Sequence, residues 1–443
     1  MGEKQKKNSS IVTIFLLWNT MMGVSLTSMP WALHQTGLIA GLFVFVAMGL
    51  LCWYTTYLVV QSPKKLKHID PNNVEFTEVC REYLGRPGEV TAILFSIFVL
   101  SGAVLAYYVL MSNFLFFTGN LIYGLAHPSN ETSELQDEAR CNFLRQMEGQ
   151  GNGNFTFEPE ILFGLKWSQL WQLRLSVPIL LSILTFTLLN FKSPTFFSKF
   201  NVLGTVSIAY LLLFNGARLI KCGVHVSLTD VNSEVYTKVF DWNFPALTGA
   251  LTLSYFIQNV ILSVLKNQKN PENNIRDLSI GFALVACSYI FVAVSFYIAY
   301  PFEKRYIQDN LLNNFSASYA WSAIARVLIL FQIITILPLM VFFIRTQLST
   351  FVLKKNYPGL PFVVGLSVIV VICGGLTAIF FPNVGTIVRY VGAISGVVNS
   401  YALPCLVYMQ EQRRENTLTI PKIALHSLII VFGVANLIAQ FFM

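Results

Sequence analysis

Residues 18–30 read WNTMMGVSLTSMP, inside a segment, 11–35, that is otherwise apolar enough to cross a bilayer. A helix facing lipid has no use for Asn19, Thr20, Gly23, Ser25, Thr27, Ser28 and Pro30 in one run. Backbone N–H and C=O groups freed at bilayer depth are tolerated only where they line a cavity or hold a ligand. Gly23 supplies the break, Pro30 lacks a donor, and the hydroxyls of Thr20, Ser25, Thr27 and Ser28 lie nearby. The alternative is a continuous, kinked helix whose Ser and Thr bond back to the preceding turn.

A second interrupted segment favours the break. Residues 244–265 read FPALTGALTLSYFIQNVILSVL, with Gly249, Thr252, Ser254, Gln258 and Asn259 in apolar surroundings. Interruptions at corresponding places in a first and a sixth helix point to two inverted five-helix repeats. In that architecture the substrate lies near the midplane, with half-helix N-termini toward its carboxylate and freed carbonyls toward an amine or a cation. The expected fold is therefore an all-α polytopic membrane protein of eleven helices, with helices 1 and 6 broken and the eleventh added outside the repeats.

Composition sets the class. At 54% hydrophobic and 12% charged residues over 443, the chain lies outside the range of soluble domains. Segments of about 20 apolar residues, each able to span roughly 30 Å of hydrocarbon, fall near 11–35, 38–61, 90–124, 174–190, 201–220, 245–264, 278–300, 319–344, 361–380, 385–409 and 420–442. The whole chain, 1–443, reads as one transmembrane transporter domain, with a short cytosolic stretch 1–10 and a lumenal loop near 126–172. The first segment is too long for a signal-peptide core and has no small-residue cleavage site after it.

Clusters such as Lys64, Lys65, Lys67, Arg345, Lys354, Lys355, Arg413 and Arg414 fall on one face if the N-terminus is cytosolic, which places the C-terminus in the lumen. The net charge of +8 then reflects this bias and attraction to anionic membrane lipid, with no nucleic acid implied. The sequons at Asn130, Asn154 and Asn314 all fall on the opposite, lumenal face. Cys141 and Cys222 lie outside the spans, as a disulfide or as two free thiols.

No Asp or Glu occupies the middle of a span, and His34, Arg326 and Arg389 are the nearest ionisable groups. His34 reads as interfacial, and the two arginines as snorkelling or capping helix ends. A coupling ion held by carbonyls and hydroxyls suits sodium better than a proton relay would. Thr335, ahead of Pro338 in the eighth segment, is a candidate to complete an oxygen cage with Thr20 and Gly23; the alternative is an ordinary threonine bonded to its own helix. Gly23, with the hydroxyl of Thr20 or Ser25, is the candidate carboxylate site, and Ser254 faces the amine. Met21 and Met22 read as packing or as adaptable pocket walls. A membrane enzyme would need converging His, Cys or acids, which the sequence does not offer. Neither a catalytic residue nor a bound metal beyond sodium is expected, and no cofactor is. A non-transporting amino acid sensor or receptor stays open beside a transporter.

The stretches NSSIVTIFLLWNTMMGVSLTSMPWALHQTG, NFKSPTFFSKFNVLGTVS, LTGALTLSYFIQN, LKNQKNPENNIRDL and GVANLIAQFFM resemble the sodium-coupled neutral amino acid transporters, solute carrier family 38, from about residue 8 onward. The resemblance implies an eleven-helix transporter of the lysosomal or late endosomal membrane. It would be sensitive to arginine, release essential amino acids such as leucine, and act as a nutrient sensor upstream of the TOR kinase complex. It carries the family's substrate role onto Asn19, Thr20, Met21, Met22 and Gly23. The next position departs from the family's pattern, with Val24 where a threonine implicated in arginine binding is expected, so an arginine preference does not follow. The family's long N-terminal region docks Rag GTPases and Ragulator. With about ten residues ahead of the first helix, that docking is not expected of this sequence.

Overall fold

A computed structural model describes residues 8–66, 74–127, 141, 143, 161–162, 165–190, 203–266, 268–354 and 358–442. Asn130 and Asn154 lie outside the described residues, as does the Val24 side chain.

The first segment breaks where its sequence says it should. Helix α1 (Ser10–Met21) is capped by Ser9, whose hydroxyl accepts from Val12 N–H at 3.5 Å. It ends at Met21, a 3-10 turn covers Val24–Ser28, and α2 (Met29–Thr36) follows with Pro30 in its first turn, where the missing N–H costs nothing. The two halves are bent by 57°. Gly37 then turns the chain at φ 86°, with the 238–240 backbone so close that a Cβ there would lie 2.8 Å from Phe240 N. Leu38 N–H donates to the Lys238 carbonyl at 2.9 Å, opening α3 (Leu38–Gln61).

Helix α4 (Phe76–Ala126) begins with a Glu75/Glu78 capping box and changes direction at Gly85, φ 74°, ahead of Pro87. After α5 (Ser176–Leu189) and α6 (Leu203–Cys222) comes the second broken segment: α7 (Pro245–Ser254), a non-helical stretch, and α8 (Ile261–Leu265). The chain continues through α9 (Asn274–Ala299), α10 (Ala320–Leu348) and α11 (Leu360–Phe380). Helix α12 (Val384–Gly396) leads through a π-helical turn, Val397–Ala402, into α13 (Leu403–Arg414), and α14 (Ile420–Ala439) closes the described chain. The one sheet among the described residues is a two-residue antiparallel pair, Ile161–Leu162 with Leu165–Lys166.

Every expected segment thus coincides with helix. Among the described residues, eight helices are long and apolar enough to cross a membrane, and the bent first pair makes a ninth. A count of eleven adds the 14-residue α5 and the broken α7–α8 pair.

Two close approaches set the packing. Helices α7 and α12 touch backbone to backbone: a Cβ on Gly392 would lie 2.1 Å from the Gly249 carbonyl, and one on Gly396 would lie 2.1 Å from Thr252 Cγ2. Small residues four apart allow this where no hydrophobic force drives helices together. Helix α14 is more than an addition, because it clasps the start of α7. Gln440 Nε2 donates to the Pro245 carbonyl at 2.6 Å, and Thr248 Oγ1 to Asn436 Oδ1 at 2.6 Å.

The connection between α9 and α10 is pinned by two buried cations. Arg326 is 1% exposed; its guanidinium donates to the Leu312, Phe315 and Ser316 carbonyls at 2.6, 2.8 and 3.1 Å and lies over the Phe117 ring. It anchors a loop rather than snorkelling. Lys304 Nζ donates to the Tyr300, Tyr297 and His225 carbonyls at 2.6 to 2.9 Å. Burial pushes its pKa down to about 7, but only an ammonium group has three N–H donors for three carbonyls. The same loop holds Asn314, which is 1% exposed. Its Nδ2 donates to Leu311 O at 3.1 Å and its Oδ1 accepts from Gln308 N–H. This packing encloses the nitrogen that a glycan at the Asn314 sequon would occupy.

Cys141 and Cys222 are brought near each other, with Cys222 Sγ 4.0 Å from the Cys141 carbonyl that also accepts from Arg218 at 2.7 Å. Both are free thiols, so of the two alternatives the expected disulfide is not the one found. Arg389 is half-buried against Tyr390, and His34 stacks on Tyr297.

Candidate functional site

The break in the first helix opens onto a small cavity of about 30 Å³. Met22, Gly23, Leu26 and Thr27 form one wall. Tyr107 of α4, Ser207, Ile208 and Leu211 of α6, and Ile329, Gln332, Ile333 and Ile336 of α10 form the others. Four separate elements therefore build one concavity, and the broken backbone is the polar part of an otherwise apolar wall.

Gly23 sits at φ −101°, ψ −161°, ordinary extended backbone. Its value here is space: a Cβ would meet only Tyr107 Oη, at 3.8 Å. Gly23 N–H already donates to the Met21 carbonyl at 2.9 Å. The N–H groups of Val24 and Ser25 follow at the start of the 3-10 turn, where a helix end leaves donors without an intrahelical acceptor, though neither residue belongs to the cavity lining. Within the lining, Tyr107 brings a hydroxyl up to Gly23. The rest of the lining is Leu, Ile and Met, together with Thr27, Ser207 and Gln332. No acid lines it, so a guanidinium or ammonium side chain would lose its hydration there without a counter-charge.

The sequence-predicted residues divide. Met22 and Gly23 line the cavity. Met21 is buried beneath it, and Ser25 is buried with its Oγ 3.4 Å from the Tyr289 hydroxyl. Asn19 faces the α6–α10 junction, where a Cβ on Gly204 would lie 3.3 Å from Asn19 Oδ1 and 2.8 Å from Gln332 Nε2. Thr20 is exposed, and its hydroxyl donates to the Leu16 carbonyl at 2.7 Å. Thr335 is buried, donates to the Gln332 carbonyl at 2.8 Å, and is absent from the lining. Neither hydroxyl of the proposed oxygen cage therefore faces the cavity; both bond back to their own helices, the ordinary alternative. Ser254 Oγ likewise donates to Ala250 O at 2.7 Å, while its carbonyl faces Tyr289.

The break in the sixth segment is filled by protein. Gln258 Oε1 accepts from Ile257 N–H at 3.1 Å, and Asn259 Nδ2 donates to Ser96 Oγ at 3.1 Å. Gln258 thereby takes up a backbone N–H that the lost helix would otherwise leave unpaired, and Asn259 ties the stretch to α4. Sequence reasoning missed Tyr107, Ser207 and Gln332. Each sits in a span that reads as ordinary membrane helix, and nothing local marks which of them faces a cavity.

The transmembrane amino acid transporter protein family model matches residues 6–121 and 160–443. A Caenorhabditis elegans protein described as a sodium-coupled neutral amino acid transporter 9 homolog is 45% identical, over 98% of this chain and 74% of its own length. Neutral amino acid transporter 9 of Rattus norvegicus is 41% identical, over 100% of this chain and 80% of its own. Among solved structures, MhsT in complex with L-phenylalanine superposes with a TM-score of 0.55 at 12% identity, covering 99% of each chain. The inward-facing conformation of Mhp1 superposes with 0.57 at 12% identity, covering 98% of this chain and 89% of that one. These two share the fold, an all-α bundle with interrupted helices. A multi-pass bundle broken at two corresponding places, a cavity at the first break and a family match along nearly its whole length together make this chain a member of the transmembrane amino acid transporter protein family.

Proposed function

We propose that the chain carries neutral, leucine-like amino acids through the cavity at Gly23. The observation that bears most weight is the lining at the first break: Gly23 with the Tyr107 hydroxyl beside it, and mostly Leu, Ile and Met around them, without an acid. A zwitterion with an apolar side chain suits both parts, its carboxylate toward the Tyr107 hydroxyl and the broken backbone at Gly23, its side chain among Ile329, Ile333 and Leu211. The names of the nematode and rat relatives, both neutral amino acid transporters, agree with this reading. An arginine side chain is the poorer fit for want of a counter-charge.

Sodium coupling is part of the proposal because the nematode relative is named sodium-coupled. Thr20 and Thr335 have only hydroxyl lone pairs to offer a cation, beside the Gly23 carbonyl. The resemblance to solute carrier family 38 supports placement in the lysosomal membrane, N-terminus cytosolic, with nutrient sensing upstream of the TOR kinase complex as a further role. Uptake of labelled leucine into proteoliposomes, with and without a sodium gradient, tests the transport reading. Saturable leucine uptake that outcompetes arginine is the expected result. Leucine binding without flux would make the protein a sensor instead, and flux indifferent to sodium would remove the coupling ion.

A further inference from the structure

Helix α9 holds a tyrosine, Tyr289, that is fully buried and lies outside the cavity lining. Its hydroxyl is 2.7 Å from the Met21 carbonyl and 3.1 Å from the Ser254 carbonyl. Met21 is the last residue of α1 and Ser254 the last of α7, so each carbonyl belongs to a half-helix end where the next turn is missing. Ser25 Oγ, just past the first break, lies 3.4 Å from the same hydroxyl. One phenol therefore touches both breaks.

The hydrogen-bond inventory makes this a tight constraint. Two carbonyls only accept, and the phenol has one proton, so it can donate to one carbonyl at a time while its oxygen accepts from Ser25. The shorter distance assigns that proton to Met21. Helix α9 holds the remainder of α1 as well: Trp18 Nε1 donates to Ser288 Oγ at 3.0 Å and Arg276 Nη2 to Ser10 Oγ at 3.2 Å. Half-helix α1 is thus tied to α9 near its start, near its end and at its last carbonyl, while α7 is packed backbone to backbone on α12. Tyr289 stands where these two units meet, immediately beneath Met22 and Gly23.

We propose that the Tyr289 hydroxyl is the positioning residue that sets the two helix breaks in register, and thereby fixes the shape of the cavity wall at Met22–Gly23. This rests on the transport reading above. The hydroxyl acts through the backbone it holds, so its loss should appear as weakened substrate binding, with the maximal rate nearly intact.

The test measures labelled leucine uptake by the full chain in proteoliposomes, alongside thermal stability. Tyr289→Phe keeps the ring and its edge-on packing against Tyr255 at 5.6 Å. It should raise the leucine KM on the order of tenfold, the scale of one lost hydrogen bond, and change the maximal rate by less than about twofold. Tyr108→Phe removes an equally buried hydroxyl whose partner is Thr185, away from both breaks, and should leave KM unchanged. Ser25→Ala should raise KM by a smaller factor alone and add nothing to Tyr289→Phe. An unchanged KM in folded Tyr289→Phe overturns the proposal, as does a loss confined to the maximal rate. If Tyr289→Phe does not fold, an unchanged KM in Ser25→Ala overturns it. A wild type that takes up no amino acid overturns the transport reading and this inference with it, whereas a transporting wild type indifferent to Tyr289→Phe overturns this inference alone.

Discussion

Gly23 has ordinary backbone angles, so what distinguishes it is the room above its Cα. Gly23→Ala should keep most leucine uptake, because the added methyl meets only the Tyr107 hydroxyl at 3.8 Å. Gly23→Trp should abolish binding by filling the cavity, measured as labelled leucine bound to purified protein that still melts cooperatively. Normal binding by the tryptophan variant would move the site elsewhere. Tyr107 offers a milder probe. Tyr107→Phe should weaken leucine affinity by roughly tenfold, the scale of one net hydrogen bond of about 1 kcal/mol, and an unaltered Kd would take the carboxylate off that hydroxyl. Val24→Thr should raise arginine affinity by up to about tenfold if this position is what disfavours arginine; equal affinities would show that it does not set specificity.

At the scale of elements, the contact between α7 and α12 is set by two glycines. A side chain at 392 would point into the Gly249 carbonyl, which belongs to backbone and has no rotamer to yield. Gly392→Leu should therefore lower the thermal midpoint sharply, with a cost on the order of a few kcal/mol typical of overpacking. A half-buried position on the same helix, Thr386, should tolerate change better. An unaltered midpoint for Gly392→Leu would mean the helices separate at little cost. Arg326 plays the corresponding part for the α9–α10 connection. Arg326→Met would leave three carbonyls without their donor and should destabilise by roughly 1–3 kcal/mol or more. Retained stability would show that water replaces the guanidinium.

For the whole molecule, the positions of glycans check which face is lumenal. With Asn314 enclosed by its own loop, glycans are expected at Asn130 and Asn154. An Asn130→Gln, Asn154→Gln double variant should then run on a gel as the enzymatically deglycosylated protein does, and Asn314→Gln alone should leave the shift intact. A shift that survives the double variant would reverse the assigned faces or restore Asn314 as an acceptor.

Residue types and their spacing determined a good part of this. Apolar runs of bilayer length coincided with helix throughout the described residues, because lipid leaves an uncovered backbone no alternative to helix. The breaks at Gly23 and after Ser254 were legible for the same reason, since polar residues and Gly at mid-span are costly unless they line or fill something. The lining was not legible. Tyr107, Ser207 and Gln332 come from helices far apart in sequence, and which face of a helix turns inward is decided by its neighbours. Hydroxyls were the hardest to read. Thr20 and Thr335, candidate ion ligands by sequence, donate to their own helices, while Tyr289, silent in the sequence, reaches the ends of both broken helices. A hydroxyl's partner is a matter of a few ångströms in three dimensions, and that is decided only when the helices pack.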